Sequence, residues 1–180
     1  MNRLQSAAVI TRLLDELHQQ GSWCGETHVQ KSVYFLQALL NVPTNYEFIL
    51  YKHGPFSFDL KDALSEFRAD GLIDLIAQPY PYGPSYTATK TGENLVKRYP
   101  KTLSLHKKQI ANAAKIAGKK RVKELEQLAT ALWITCEEGS RSEPRGRAQD
   151  LHELKPHVSL QEALVAITSI DALQKQFTVS

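Results

Sequence analysis

Residues 51–73 read YKHGPFSFDLKDALSEFRADGLI. A Gly-Pro turn (Gly54-Pro55) leads into a short helix, and the helix gives way to an apolar, strand-like segment. Ser57 suits an N-cap, and Asp59 falls in the first turn, where its charge meets the positive end of the helix dipole. Leu60, Ala63, Leu64 and Phe67 recur at helical spacing and form a buried stripe. Gly71 stops the helix. Turn, helix and strand in this order are the core of a winged-helix reading head. Yet the helix carries Asp59, Asp62, Glu66 and Asp70 against only Lys61 and Arg68. Phosphates repel carboxylates, and acidic contacts to base edges are largely confined to the cytosine amino group.

Upstream, Leu4, Ala8, Leu13, Leu14 and Leu17 predict an amphipathic helix over about 4–20, ended by Gly21. Thr27 and Gln30 have the spacing of a capping box, opening a second helix over about 28–40. Tyr46 to Lys52 is rich in β-formers and predicts a strand. Downstream, LIDLIAQ and SYTAT flank PYPYGP and predict a hairpin, the wing. Thr89 or Thr91 caps a helix to Tyr99. Two helices are then expected, a basic one over 104–117 and one over 119–138 with its core face on Leu125, Leu128, Ala129, Leu132, Trp133 and Cys136. The polar stretch EEGSRSEPRGRAQD predicts a loop. Ser159 and Glu162 form a capping box for a last helix to about Lys175. Its apolar positions Leu160, Leu164, Ile167, Ile170 and Leu173 suit a homodimer seam.

The expected fold is therefore α+β and mostly helical. A winged helix-turn-helix core spans 1–100, and a helical extension over 101–180 packs on it as one compact unit.

Net charge is +3, but the charge is unevenly spread. Residues 1–90 hold 7 Lys/Arg and 9 Asp/Glu, a balance of −2; the remainder hold 15 and 10, a balance of +5. No acid occurs between Glu93 and Glu124, a window with ten basic residues. Such one-sidedness is the usual footprint of a polyanion contact. The candidate phosphate holders are Lys107, Lys108, Lys115, Lys119, Lys120, Arg121 and Lys123, with Lys61 and Arg68 adding selectivity. The uncharged wing carries Tyr80, Tyr82 and Tyr86, which suit a partner-protein surface. An acidic protein would satisfy the same lysines, so DNA and a protein partner both stay open.

Enzyme motifs are missing: no Gly-rich phosphate loop, no HExxH, no nucleophile elbow. The six histidines are scattered, and Cys24 and Cys136 form neither a CxxC pair nor a zinc set. A non-enzymatic protein without cofactor or metal is expected. No run reaches the length of a membrane span and the N-terminus lacks a signal-peptide pattern, which predicts a cytoplasmic protein with no membrane partner. The two cysteines read as small buried hydrophobes.

KSVYFLQALL followed by FILYKHGPFSFDLKDALSEFRADGLI resembles YwgA-like bacterial and archaeal proteins. It is more distantly similar to the Panacea (SocA-like) antitoxin-associated domain. The matching positions are Lys31, Tyr34, Phe35, Gln37, Tyr51, Gly54, Pro55, Leu60, Leu64, Gly71, Leu72 and Ile73. The resemblance covers about residues 27–99. It implies a winged-helix core and an association with toxin–antitoxin pairs, mobile elements or phage defence. A regulatory DNA-binding protein and an antitoxin or adaptor that binds a partner protein are its two functional implications.

Overall fold

The computed structural model describes residues 1–80 and 83–178. The chain is mostly helical with two small two-stranded sheets, an α+β protein. It divides into two compact units. The first comprises residues 1–48 and 57–120, the second residues 49–56 and 121–180.

In the first unit, α1 (Arg3–Gln19) is capped by Asn2, whose side chain accepts from the Gln5 amide while Gln5 reaches back. Nine of its residues, Ser6 to Leu17, are buried, which makes it the central element of the unit. α2 (Glu26–Tyr34) runs on into a π-helical turn, Phe35–Leu39. The expected Thr27/Gln30 capping box does not form. The N-cap is Gly25, and the Gln30 side chain is spent on the backbone of Ser57 instead. α3 (Phe58–Ala69) starts at Ser57, whose hydroxyl accepts from the Leu60 amide at 3.1 Å. Leu60, Leu64 and Phe67 point inward as their spacing requires. Gly71, at φ +67°, lets the chain reverse into β3 (Ile73–Ile76).

β3 pairs antiparallel with β4 (Ser85–Ala88), Leu75 facing Tyr86. The start of β4, at the turn end of this hairpin, is tied to the loop after α1: the Tyr86 amide donates to the Cys24 carbonyl and the Ser85 hydroxyl to that of Trp23. Thr89 then caps α4 (Lys90–Arg98). Gly92 sits so close to the Leu72 carbonyl that a β-carbon there would lie 2.1 Å from its oxygen. The expected basic helix is two elements, α5 (Pro100–Leu105) and α6 (Lys107–Ala117), broken at the buried His106. α4, α5 and α6 all pack on α1, and α6 also on α2.

In the second unit, β1 (Ile49–Tyr51) and β2 (Gly54–Phe56) form a hairpin turned by Lys52-His53. The expected strand from Tyr46 is thus only three residues long. β2 packs on α7 (Val122–Cys136), which buries Leu125, Leu128, Ala129 and Leu132 as predicted, while Trp133, expected on the same face, is only half-buried. The polar stretch expected to be a loop contains a helix, α8 (Pro144–Leu154). Proline at its first position costs no hydrogen bond. Arg147 is buried in a bidentate pair with Asp171, at 2.8 and 2.9 Å. α9 (Leu160–Thr178) opens with the expected Ser159/Glu162 box. Its Ile167 and Ile170 are fully buried, and the helix packs on α7 and α8. Of the face read as a homodimer seam, Ile167 and Ile170 are thus consumed within the chain, Leu164 and Leu173 are half-buried and Leu160 is exposed. Cys24 is buried, but Cys136 is exposed, contrary to expectation. Among the described residues no helix is long and apolar enough to cross a membrane.

Candidate nucleic-acid interface

The charges of α3 are sorted by helical position. At 100° per residue, Lys61 and Arg68 fall on one flank of the buried stripe, with Ser65 between them. Asp59, Glu66 and Asp70 fall on the opposite flank, and Asp62 lies near the outer ridge with Phe58. The acidic flank is partly neutralised by Arg3 of α1. Its guanidinium pairs with Glu66 at 2.9 Å and with Asp70, and lies 5.5 Å over the Phe67 ring. Both carboxylates hold the Arg3 pKa above its ordinary value, Asp70 the more strongly. On the other flank Lys61 and Arg68 are exposed and take no ion-pair partner among the described residues. A helix that counts as acidic overall thus offers a cationic edge.

The β3–β4 hairpin lies within electrostatic reach of that edge. Burial raises the Tyr86 phenol pKa; Glu26 adds to the rise and Arg68 opposes it. Tyr86 is half-buried, and its carbonyl accepts from His18 Nε2 at 2.9 Å, so its backbone is structural. Tyr80 is 97% exposed at the hairpin's far end. Tyr82 lies outside the described residues. The cross-strand partner of Tyr86 is Leu75, not Tyr80.

The second cationic surface is α6. Its inward face is Ile110, Ala113, Ala114, Ile116 and Ala117. Lys108 and Lys115 stand on the outward stripe, Lys119 continues it past the helix end, and Lys107 lies to one side. All four are exposed, Lys120 is half-exposed, and none has an ion-pair partner among the described residues. Leu105, just ahead of α6, belongs to α5 and is 72% exposed. A groove of about 330 Å³ runs beside this surface, with Arg12, Val96, Leu103 and Lys107 among its walls. Arg12 is held there by Glu16 at 2.6 Å.

The end of α6 is pinned by His28 of α2, whose Nε2–H donates to the Lys120 carbonyl at 3.0 Å. The imidazole is 4% exposed, and burial lowers its pKa. Its Nδ1 is buried with no partner, so the neutral ring is the form that fits.

Arg121 and Lys123 belong to the second unit. Arg121 is exposed. Lys123 is 2.7 Å from Glu162 and holds that carboxyl down to about 2, the Ser159 cap assisting. Lys123 is thus the one member of the predicted phosphate-holding set that already has a carboxylate.

Sequence spacing alone does not mark Arg3, because its partners are 63 and 67 positions away. Nor does it mark Lys31, which is 1% exposed on α2, since lysine in an apolar run reads as an outward residue. No group of three or more His, Cys, Asp or Glu able to hold a metal occurs among the described residues. No protein-family model matches the chain, and no curated protein is significantly similar to it.

Proposed function

We propose that the chain is a non-enzymatic DNA-binding or regulatory protein whose first unit works as a winged-helix-like module. α3 is the reading helix, presented by its Lys61/Arg68 edge. The β3–β4 hairpin is the wing, and Lys107, Lys108, Lys115, Lys119 and Lys120 supply phosphate contacts. The observation that carries the reading is the charge sorting on α3. It eases the electrostatic objection, since the acidic flank lies away from the cations and Arg3 offsets part of its charge. The resemblance to YwgA-like and Panacea proteins favours a role in a toxin–antitoxin, mobile-element or phage-defence module, in the cytoplasm.

The test is fluorescence anisotropy on a labelled duplex across a salt series. Five phosphate contacts give a log–log slope of about −4.5. Reversing Lys115, Lys119 and Lys120 to Glu should flatten the slope and weaken all sequences alike. Unchanged anisotropy at low salt removes the reading.

One observation favours a partner protein instead. Tyr80 is almost wholly exposed in the uncharged stretch of sequence between β3 and β4, and Asp59 and Asp62 take no ion-pair partner among the described residues. Aromatic anchors of this kind are typical of protein interfaces. Retained partner capture by the triple-Glu variant, abolished by Tyr80→Ala, selects that alternative.

A further inference from the structure

The second unit contains a polar cleft that the DNA-binding reading does not use. Its enclosed part is only about 20 Å³, room for a single oxygen of a larger group, and its mouth is open to solvent. Three segments build it: the β1–β2 turn with Lys52 and His53, α7 with Glu126 and Gln127, and the residues after α8 with Lys155 and His157.

Its lining is rich in donors and short of acceptors. Lys155 Nζ donates to the carbonyls of Tyr51 and Lys52, at 3.1 and 2.6 Å. An ammonium has three protons, so one is left over. Glu126, the only carboxylate of the lining, is engaged with His53 Nδ1 at 3.3 Å. Lys123, also at the cleft, is matched by Glu162. Lys52 and His157 are exposed and have no ion-pair partner among the described residues. Most tellingly, Gln127 Nε2 is buried and has no hydrogen-bond acceptor among the described residues. A buried amide donor without an acceptor points to a water or a ligand. A water answers the geometry of Gln127 but leaves the surplus of positive charge unmatched. An oxyanion answers both.

We propose that this cleft binds a phosphoryl group, with Gln127 Nε2 and Lys155 Nζ as its inner donors and Lys52, His53 and His157 at its mouth. Charge-assisted hydrogen bonds from such donors are about twice as strong as neutral ones. Free phosphate and the terminal phosphate of a nucleotide share this chemistry.

The experiment follows the imidazole resonances of the full chain by NMR during titration with inorganic phosphate. Potassium chloride at matched ionic strength is the control, and AMP is a parallel arm. The His53 and His157 signals, assigned with His53→Gln and His157→Gln, should shift saturably with phosphate and not with chloride. Gln127→Leu keeps the side-chain volume and should weaken binding about tenfold. Lys155→Gln should weaken it further. Tighter binding of AMP identifies a nucleotide as the source, and equal binding identifies free phosphate. A response matched by chloride, or phosphate binding indifferent to Gln127→Leu, overturns the proposal and leaves a bound water only. Since duplex binding is assigned to the first unit, Gln127→Leu should leave the salt slope on duplex unchanged, so the two proposals fail separately.

Discussion

Gln30 and Ser57 hold each other through two buried hydrogen bonds. Gln30 Nε2 donates to the Ser57 carbonyl at 2.9 Å, and the Ser57 amide donates to Gln30 Oε1 at 3.0 Å. A side-chain amide thus does for the start of α3 what a neighbouring strand does for a ladder. Both residues are fully buried. Gln30→Ala strands the Ser57 amide, whereas the Ser57 carbonyl still accepts from the Lys61 amide at 3.2 Å, so the change should cost about 1–3 kcal/mol, offset in part by water entry. Chemical denaturation checks this, and near-wild-type stability would mean that the pair is not formed.

Arg3 tests the charge sorting on α3. Its pairs with Glu66 and Asp70 are about half exposed, so their loss should change stability by no more than about 1 kcal/mol. Arg3→Ala nevertheless uncovers two carboxylates beside the proposed duplex site. Duplex affinity should drop several-fold at low salt while the melting curve barely moves. If affinity is indifferent, the acidic flank does not face the ligand.

Gly92 and Gly83 should respond oppositely to the same change. At Gly92 a methyl meets the Leu72 carbonyl oxygen at 2.1 Å, and that oxygen already accepts from Thr89. Backbone must move, so Gly92→Ala should destabilise by several kcal/mol or abolish soluble expression, on the order of an overpacked core site or worse. At Gly83 nothing lies within 4 Å, and Gly83→Ala should be near neutral. Comparable melts for the two would refute the close packing of α4 on the end of α3.

Acid should weaken the two units at different pH. Folding depresses the His28 pKa, so its contribution is full above the unfolded value of about 6.5 and falls away as pH drops below it. Folding also depresses Glu162 to about 2, from an ordinary value of 4.5. Its contribution is full above about 4.5 and is lost between there and about 2. Denaturation series at pH 7.5, 5.5 and 3.5 should reveal both losses. His28→Gln should remove the first and keep the second; an unaltered profile in that variant would assign the loss elsewhere.

Local signals survived into the structure where a residue acts on its own neighbours. Ser57, Thr89 and the Ser159/Glu162 box cap the helices they were expected to cap, and the stripe Leu60, Leu64, Phe67 is buried. Long-range chemistry was not legible. The polarity of residues 137–150 suggested a loop, yet α8 is sustained by Arg147 pairing with Asp171, 24 positions away. Proline at its first position, with Ala148 and Leu151 three apart, was the signal that could have found it. His106 breaks the basic helix because it is drawn inward, which spacing does not foretell. The positions of the α3 charges could be counted from sequence. The partial neutralisation by Arg3 could not, because Glu66 and Asp70 lie 63 and 67 positions away from it.

The excursion of residues 49–56 into the second unit has a consequence for biosynthesis. Sixty-five positions separate Phe56 from the start of α7 at Val122. At ribosomal speeds of about 5–20 residues per second, the small hairpin waits roughly 3–13 s for the helix that covers it. Shortening the gene after codon 120 would make that wait permanent, stranding Pro55 and Phe56 in solvent. The smallest autonomously maturing product is therefore expected to need its C-terminal third, and nascent chains stalled before α7 should be the ones that chaperones hold.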